Sequence, residues 1–90
     1  MKAVITMTGK DRIGVIGKVC TYLAEHRINI LDISQTVIGG EYLNMAMIVD
    51  LAASDLAFDA IAAGLDELGQ EICYVIRIQH EEIFKSMHRV

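Results

Sequence analysis

Four stretches of the chain alternate between apolar and polar residues, which is the period of a half-buried β-strand. These stretches are residues 2–8, 30–38, 42–50 and 72–79. In the third stretch the predicted core-facing side chains are Leu43, Met45, Met47 and Val49. Gly39 and Gly40 separate the second stretch from the third. Because both glycines tolerate positive φ, these two strands are predicted to form a hairpin.

Two other stretches follow the 3.6-residue period of an amphipathic helix. The first covers residues 15–26, with His26 in its last turn as a cap, and its apolar stripe is Val15, Ile16, Val19 and Leu23. The second begins at Ser54, the predicted N-cap, with Asp55 in the first turn, and ends before Gly69, the expected C′ residue. Its apolar stripe is Phe58, Ile61, Leu65 and Leu68. Residues 81–88 are predicted to form a short third helix.

The resulting order, β-α-β-β-α-β, is that of the ferredoxin-like α+β sandwich. We expect one four-stranded antiparallel sheet with both helices on one face, because βαβ crossovers are right-handed. The other face is predicted to carry Asp32, Ser34, Thr36, Asn44, Asp50, Arg77 and Gln79. The whole chain, residues 1–90, is expected to be a single domain, with residues 81–90 as a C-terminal extension.

Composition narrows the function classes. The 90 residues are 53% hydrophobic and 22% charged, which is typical of a folded chain. The net charge of -4 argues against nucleic acid or an anionic membrane as a partner, because both select basic surfaces. No apolar run approaches the ~20 residues of a membrane span, and the start does not resemble a signal peptide. We therefore expect a cytoplasmic protein whose Cys20 and Cys73 are reduced packing residues.

The sequence offers no set of residues for catalysis or for a metal ion. Cys20 has no adjacent base and lies within a predicted helix. The His and Glu residues near the C-terminus lie one or two positions apart, so they do not share one face of a helix as a pair of metal ligands would. We therefore expect no enzymatic activity, no cofactor and no metal site.

The segment Gly9-Lys10-Asp11-Arg12-Ile13-Gly14 is the main candidate for binding. It has the glycine spacing of a P-loop, but Val15 and Ile16 stand where Lys and Ser or Thr must follow. The segment leads into a helix N-terminus, whose unpaired N–H groups and dipole favour a carboxylate. Shaping the turn is the alternative role of its glycines. Asn29, at the next helix–strand junction, is either a ligand-binding residue or a left-handed turn residue.

This loop, the following Val15-Ile16 and the later segment Asn29-Ile30-Leu31-Asp32-Ile33 together resemble the sequence pattern of the ACT domain. The typical pattern of that family is G-x-D-x-x-G followed by two hydrophobic residues and, later, N-I-x-D-I. Two further stretches, 32–37 (Asp-Ile-Ser-Gln-Thr-Val) and 83–87 (Ile-Phe-Lys-Ser-Met), resemble the stand-alone ACT-domain proteins of bacteria and archaea. Those proteins are related to the ACT domains of the glycine-cleavage repressor and formyltetrahydrofolate deformylase. The resemblance covers essentially the whole chain.

The resemblance implies a regulatory module that binds an amino acid or a similar effector between two copies of the domain. It also implies that the copies pair side by side through the second strand and the first helix, in one eight-stranded sheet. The implied effector-binding residues are Asp11, Arg12, Ile13, Gly14 and Val15 of one copy, with Asn29, Ile30 and Leu31 of the partner copy. Backbone N–H groups of Gly14 and Val15 suit a carboxylate, and Arg12 either clamps that carboxylate or is solvated.

Two functions stay open at this level. The first is an amino-acid-sensing homodimer, and the alternative is a protein-interaction or structural module with a vestigial effector site and a protein partner on the free sheet face. An exposed second strand must be paired, covered or charged, which favours a dimer over a monomer with a short twisted edge.

Overall fold

The computed structural model describes residues 1–82. Its elements are β1 (Lys2–Lys10), α1 (Val15–Glu25), β2 (Asn29–Ile38), β3 (Tyr42–Asp50), α2 (Phe58–Ile72) and β4 (Val75–His80). The strands form one antiparallel sheet in the order β2-β3-β1-β4. The predicted element order and the ferredoxin-like α+β fold are confirmed. Glu81 and Glu82 have helical backbone, and the rest of the predicted C-terminal helix lies outside the described residues.

The core lies between the two helices and one face of the sheet. On β1 and β3, alternate residues point into it, as the period of a strand requires. The strand residues in the core include Ala3, Ile5, Met7, Leu43, Met45, Met47 and Val49. Val15, Val19 and Leu23 of α1, with Ile61 and Leu65 of α2, pack against them. The predicted β3 and hairpin are confirmed, with φ of 62° at Gly39 and 71° at Gly40.

The opposite sheet face carries the predicted polar residues. Antiparallel partners lie on the same face, and the register pairs Ser34 with Ala46, Thr36 with Asn44, and Thr6 with Arg77. Thr8 Oγ1 donates a hydrogen bond to Asn44 Oδ1 over 2.6 Å on this face. No helix in residues 1–82 covers these side chains.

Helix α2 begins later than predicted. Its N-cap is Ala57, in an extended conformation with φ -71° and ψ 158°, and its first-turn acid is Asp59. The hydroxyl of Ser54 instead accepts a hydrogen bond from the N–H of Leu56 over 3.2 Å. Asp55 contacts the ring of His26 at 3.3 Å. Ser54 therefore caps a local turn, which is the conformation that competes with helix for this residue type.

The end of α2 was also predicted wrongly. The helix continues through Gly69 to Ile72, and the last strand begins at Val75, so the first three residues predicted for that strand are the helix end and the connection that follows it. The left-handed residue is Cys73, with φ of 61°, and it is exposed, so the prediction of a packing role for it was wrong. A Cβ on Gly69 would lie 2.6 Å from the backbone oxygen of Tyr74. Gly69 is therefore needed for the close return of the chain, and not as a helix terminator.

The junction between α1 and β2 turns at Arg27. His26 is the C-cap residue, as predicted. Arg27 has φ of 58°, and Asn29 is the first residue of β2 with extended backbone. The left-handed alternative for Asn29 was therefore wrong, since a different residue makes that turn.

Gly69→Ala is expected to lower the free energy of unfolding by about 1–3 kcal/mol, because the added methyl group meets backbone that cannot rotate away. Gly17→Ala on α1 is the matched control. Within the described part of the chain, a Cβ at Gly17 meets no heavy atom within 4 Å outside its own helix backbone and chain neighbours, so this change should stabilise by about 1 kcal/mol through helix propensity. Urea denaturation measures both, and equal effects would contradict the proposed role of Gly69.

Candidate functional site

The loop formed by residues 11–14 is attached to two other parts of the chain. The N–H of Asp11 donates to the carbonyl of Glu41 over 2.7 Å, which ties the loop to the β2–β3 hairpin. The Tyr74 hydroxyl donates to the carbonyl of Lys10 over 2.6 Å. The guanidinium of Arg12 donates to the carbonyl of Ile72 at the end of α2. The loop therefore has a defined position beside the C-terminal end of α2.

Arg12 is an exposed residue whose guanidinium donates one hydrogen bond to the end of α2. The last four carbonyl groups of a helix have no intrahelical partner. At the end of α2, the N–H of Tyr74 donates to the carbonyl of Gly69 over 2.7 Å, and the guanidinium of Arg12 donates to the carbonyl of Ile72. A cation at this position also suits the negative end of the helix dipole.

The start of α1 faces the same region without a side-chain cap. Gly14 is its N-cap residue, with φ of 90°, a conformation that favours glycine. Among residues 1–82, no side chain hydrogen-bonds to this cap, and no acidic residue lies in the first turn. Val15 is buried, which fixes the helix start against the core. Such a helix terminus can accept a carboxylate from a ligand.

Tyr74 packs against the residues that precede the loop. Its ring lies against Gly9, where a Cβ would come within 2.5 Å of a ring carbon. Burial raises the pKa of the Tyr74 phenol, and the carboxylate of Asp11 raises it further, whereas Arg12 lowers it. Tyr74 was missed from the sequence as a residue of this region, because the residues 72–79 were interpreted as one strand. Its apolar spacing gave no signal of the contact with Gly9.

A small cavity lies between the loop, the start of α1 and the end of α2. Its volume is about 170 Å³. It is lined by Arg12, Ile13, Gly14, Val15, Lys18, Glu71 and Ile72. Lys18 Nζ and Glu71 Oε1 are 3.7 Å apart across it. Lys18 and Glu71 were not singled out from the sequence, since neither belongs to a motif.

The other three predicted effector residues lie at the far end of the sheet. Asn29 pairs with Asp50, whereas Lys10, which precedes the loop, pairs with Tyr42. The two β3 residues in these pairs are eight positions apart, or about 27 Å at the rise of an antiparallel strand. One chain therefore brings Asp11 to Val15 together but does not bring Asn29, Ile30 and Leu31 to them.

Strand β2 forms one edge of the sheet and has β3 as its neighbour. A register shift lies between Ile30 and Asp32, so Leu31 is in a bulge. Leu31, Ile33 and Val37 are each 44–46% exposed. Asp32 Oδ1 accepts a hydrogen bond from the N–H of Ile33 over 3.0 Å. This edge presents apolar side chains and backbone groups that can pair with another strand.

Two kinds of feature are absent from the described residues. Within residues 1–82, no three His, Cys, Asp or Glu side chains are grouped closely enough to hold a metal ion. In the same range, no helix has both the length and the apolar character for crossing a membrane.

Comparison with known proteins identifies the relatives of this chain. The family model for the ACT domain matches residues 2–79. A UPF0237 protein from Bifidobacterium longum is 54% identical over 99% of this chain and 98% of its own length.

Solved structures agree with this comparison. An ACT domain protein from Streptococcus pneumoniae superposes with a TM-score of 0.81 at 38% identity, over 93% of each chain. A formyltetrahydrofolate deformylase from Pseudomonas syringae shares the fold, with a TM-score of 0.80 at 20% identity over 88% of this chain and 27% of that one. The regulatory subunit of aspartate kinase from Thermus thermophilus has a TM-score of 0.67 at 30% identity, over 87% of this chain and 50% of that one.

Replacing Tyr74 with Phe tests its contact with the loop. Loss of one hydrogen bond is expected to lower the free energy of unfolding by about 1 kcal/mol at pH 7. Because the folded-state pKa is raised, the phenol stabilises the fold below about pH 10, and this contribution is lost as the pH rises further. The free energy of unfolding of Tyr74→Phe should therefore decline less than that of the wild type between pH 7 and pH 11.

Urea denaturation at several pH values measures both effects. Tyr42→Phe, which removes an exposed hydroxyl near the same end of the sheet, is the control and should stay within about 0.5 kcal/mol of the wild type at pH 7. Equal stabilities for the wild type and Tyr74→Phe would contradict this role of the hydroxyl.

Proposed function

The chain belongs to the ACT domain family, and from that premise we propose that it is an amino-acid sensor that acts as a homodimer. The family is one of small-molecule regulatory modules, and a structural neighbour is named as the regulatory subunit of aspartate kinase. The observation that carries the proposal is the uncapped start of α1, with Arg12 beside it, over a cavity of about 170 Å³. The proposed role is regulatory and not catalytic.

An amino acid suits this region through its carboxylate. The first N–H groups of α1 and the positive end of its dipole attract an anion. Arg12 has five N–H donors in a planar fork, and the carbonyl of Ile72 accepts from one of its terminal nitrogens. The remaining donors can bind a carboxylate in bidentate fashion. The proposed effector-binding residues on this copy are Asp11, Arg12, Ile13, Gly14 and Val15.

The second copy completes the proposed site. Antiparallel pairing of β2 with β2 of a second copy would bring the start of one β2 towards the loop end of the other chain. This arrangement covers Leu31, Ile33 and Val37, which are exposed on the single chain. It also supplies Asn29, Ile30 and Leu31 from the partner copy. The amide of Asn29 both donates and accepts hydrogen bonds, so it can contact either end of an amino acid.

We further propose that residues 1–90 form a single domain and that the protein works in the cytoplasm. The two cysteines are free, which is usual in a reducing compartment.

A second candidate function is supported by the polar sheet face. A shallow depression of about 270 Å³ lies there, lined by Thr6, Thr8, Ser34, Thr36, Asn44, Met45 and Ala46. A protein partner on this face, with a vestigial effector site, is the alternative to amino-acid sensing.

Thermal unfolding with each of the twenty amino acids tests the sensor. A ligand at about 100 times its Kd stabilises the folded state by about 2.7 kcal/mol, which raises the midpoint of a chain of this size by about 10–20 °C. Asn29→Ala should abolish the rise. Asn44→Ala, the same change on the open sheet face, should retain it. No response of the wild type to any amino acid would reject the sensor and favour the protein-interaction module.

Sedimentation equilibrium tests the dimer. Ile33→Lys places a charge among the exposed apolar residues of the β2 edge and should yield a monomer. Thr36→Lys adds the same charge to the same strand on the opposite sheet face and should leave the dimer intact. A wild-type monomer, or a dimer that survives Ile33→Lys, would contradict pairing through β2.

A further inference from the structure

We infer that Glu71 is an additional effector-binding residue, which receives the ammonium group of an amino acid whose carboxylate is bound by Arg12. This inference rests on the proposed function and adds a residue from α2 to the site. It follows from the charges around the small cavity described above. Arg12 and Lys18 are the cationic side chains among the described residues that line it, and Glu71 is the acidic one.

Arg12 is held in place for this role by the end of α2. Its hydrogen bond to the carbonyl of Ile72 keeps the guanidinium at the cavity wall. Ile72 directly follows Glu71 in the sequence. That bond occupies one nitrogen of the guanidinium and leaves others to bind a carboxylate. The end of α2 therefore orients Arg12 and also carries the opposite charge, on Glu71.

Glu71 has a partner that a ligand can replace. Its carboxylate lies 3.7 Å from Lys18 Nζ, and the two side chains are 66% and 58% exposed. Ion pairs of this exposure contribute little to stability, since water and salt screen them. A ligand ammonium at the same distance would make an equivalent ion pair while its carboxylate gains the contact with Arg12. The exchange therefore favours a molecule that carries both charges.

The cavity has room for the charged part of an amino acid. One water molecule takes about 30 Å³ of liquid, so about 170 Å³ corresponds to roughly six water-sized groups. The ammonium, α-carbon and carboxylate of an amino acid amount to five heavy atoms. A large side chain would extend from the cavity towards the exposed Ile13 and solvent. The inferred ligand class is thus an α-amino acid recognised by its zwitterion.

The role of Glu71 differs from the site that the family resemblance implies, because a different residue binds the ligand ammonium. That site leaves the ammonium to the amide oxygen of Asn29 of the partner copy. Glu71 provides a full negative charge from the same chain as Arg12, whereas the amide of Asn29 is a neutral acceptor.

Isothermal titration of the full chain with each of the twenty amino acids, followed by the N-acetyl derivative of each one that binds, tests the inference. The wild type should bind the free amino acid at least tenfold more tightly than its N-acetyl derivative, which lacks the ammonium charge. Glu71→Gln should weaken binding of the free amino acid about two- to fivefold, which is the range that an exposed ion pair contributes. Glu67→Gln, an exposed change one turn earlier on α2, should bind like the wild type.

The outcomes distinguish the two levels of the proposal. If an amino acid binds the wild type and Glu71→Gln equally well, or if its N-acetyl derivative binds as tightly, the role of Glu71 is overturned and the sensor stands. If no amino acid binds the wild type, both are overturned. Matching urea midpoints for Glu71→Gln and the wild type would show that weaker binding does not come from unfolding.

Discussion

The packing of Tyr74 between the end of β1 and the end of α2 determines where the loop before α1 lies. Its ring rests on Gly9, and its hydroxyl donates to the carbonyl of Lys10. Its backbone oxygen passes over Gly69, where a Cβ would lie 2.6 Å away. Two glycines that are distant in the sequence thus accommodate one tyrosine. Because of these contacts, the loop and the C-terminal turn of α2 form a single structural unit.

This unit brings together helix ends of opposite polarity. The uncapped N-terminus of α1 attracts negative charge, and the C-terminal carbonyl groups of α2 attract positive charge. Arg12 supplies the positive charge at the end of α2 by donating to the carbonyl of Ile72. It also lies close to the N-terminus of α1. The proposed amino acid would place its carboxylate near the first of these ends and its ammonium near the second, and this is the physical basis for both proposals about the site.

The edge strand explains why a single chain presents half of the proposed site. The loop and Asn29 lie at opposite ends of the sheet, so no local movement joins them. The exposed apolar residues of β2 provide a reason for a second copy to bind, and antiparallel pairing reverses the direction of one copy relative to the other. Dimerisation and effector binding would therefore be coupled, since the same pairing buries the edge and completes the site.

The sequence by itself determined the strands, the hairpin, the apolar faces and the family, because each depends on local spacing. Leu43 to Val49 alternate, Gly39 and Gly40 allow positive φ, and the motif around Gly14 is contiguous. Only the tertiary structure decided the limits of α2, the bond of Arg12 to Ile72, and the place of Glu71 beside the loop. Those features depend on the contact between Tyr74 and Gly9, which are far apart in the sequence. No spacing rule encodes contacts between such distant residues. Ser54 and Gly69 show the same limit, since each has a residue type typical of a helix end but is used for a different contact.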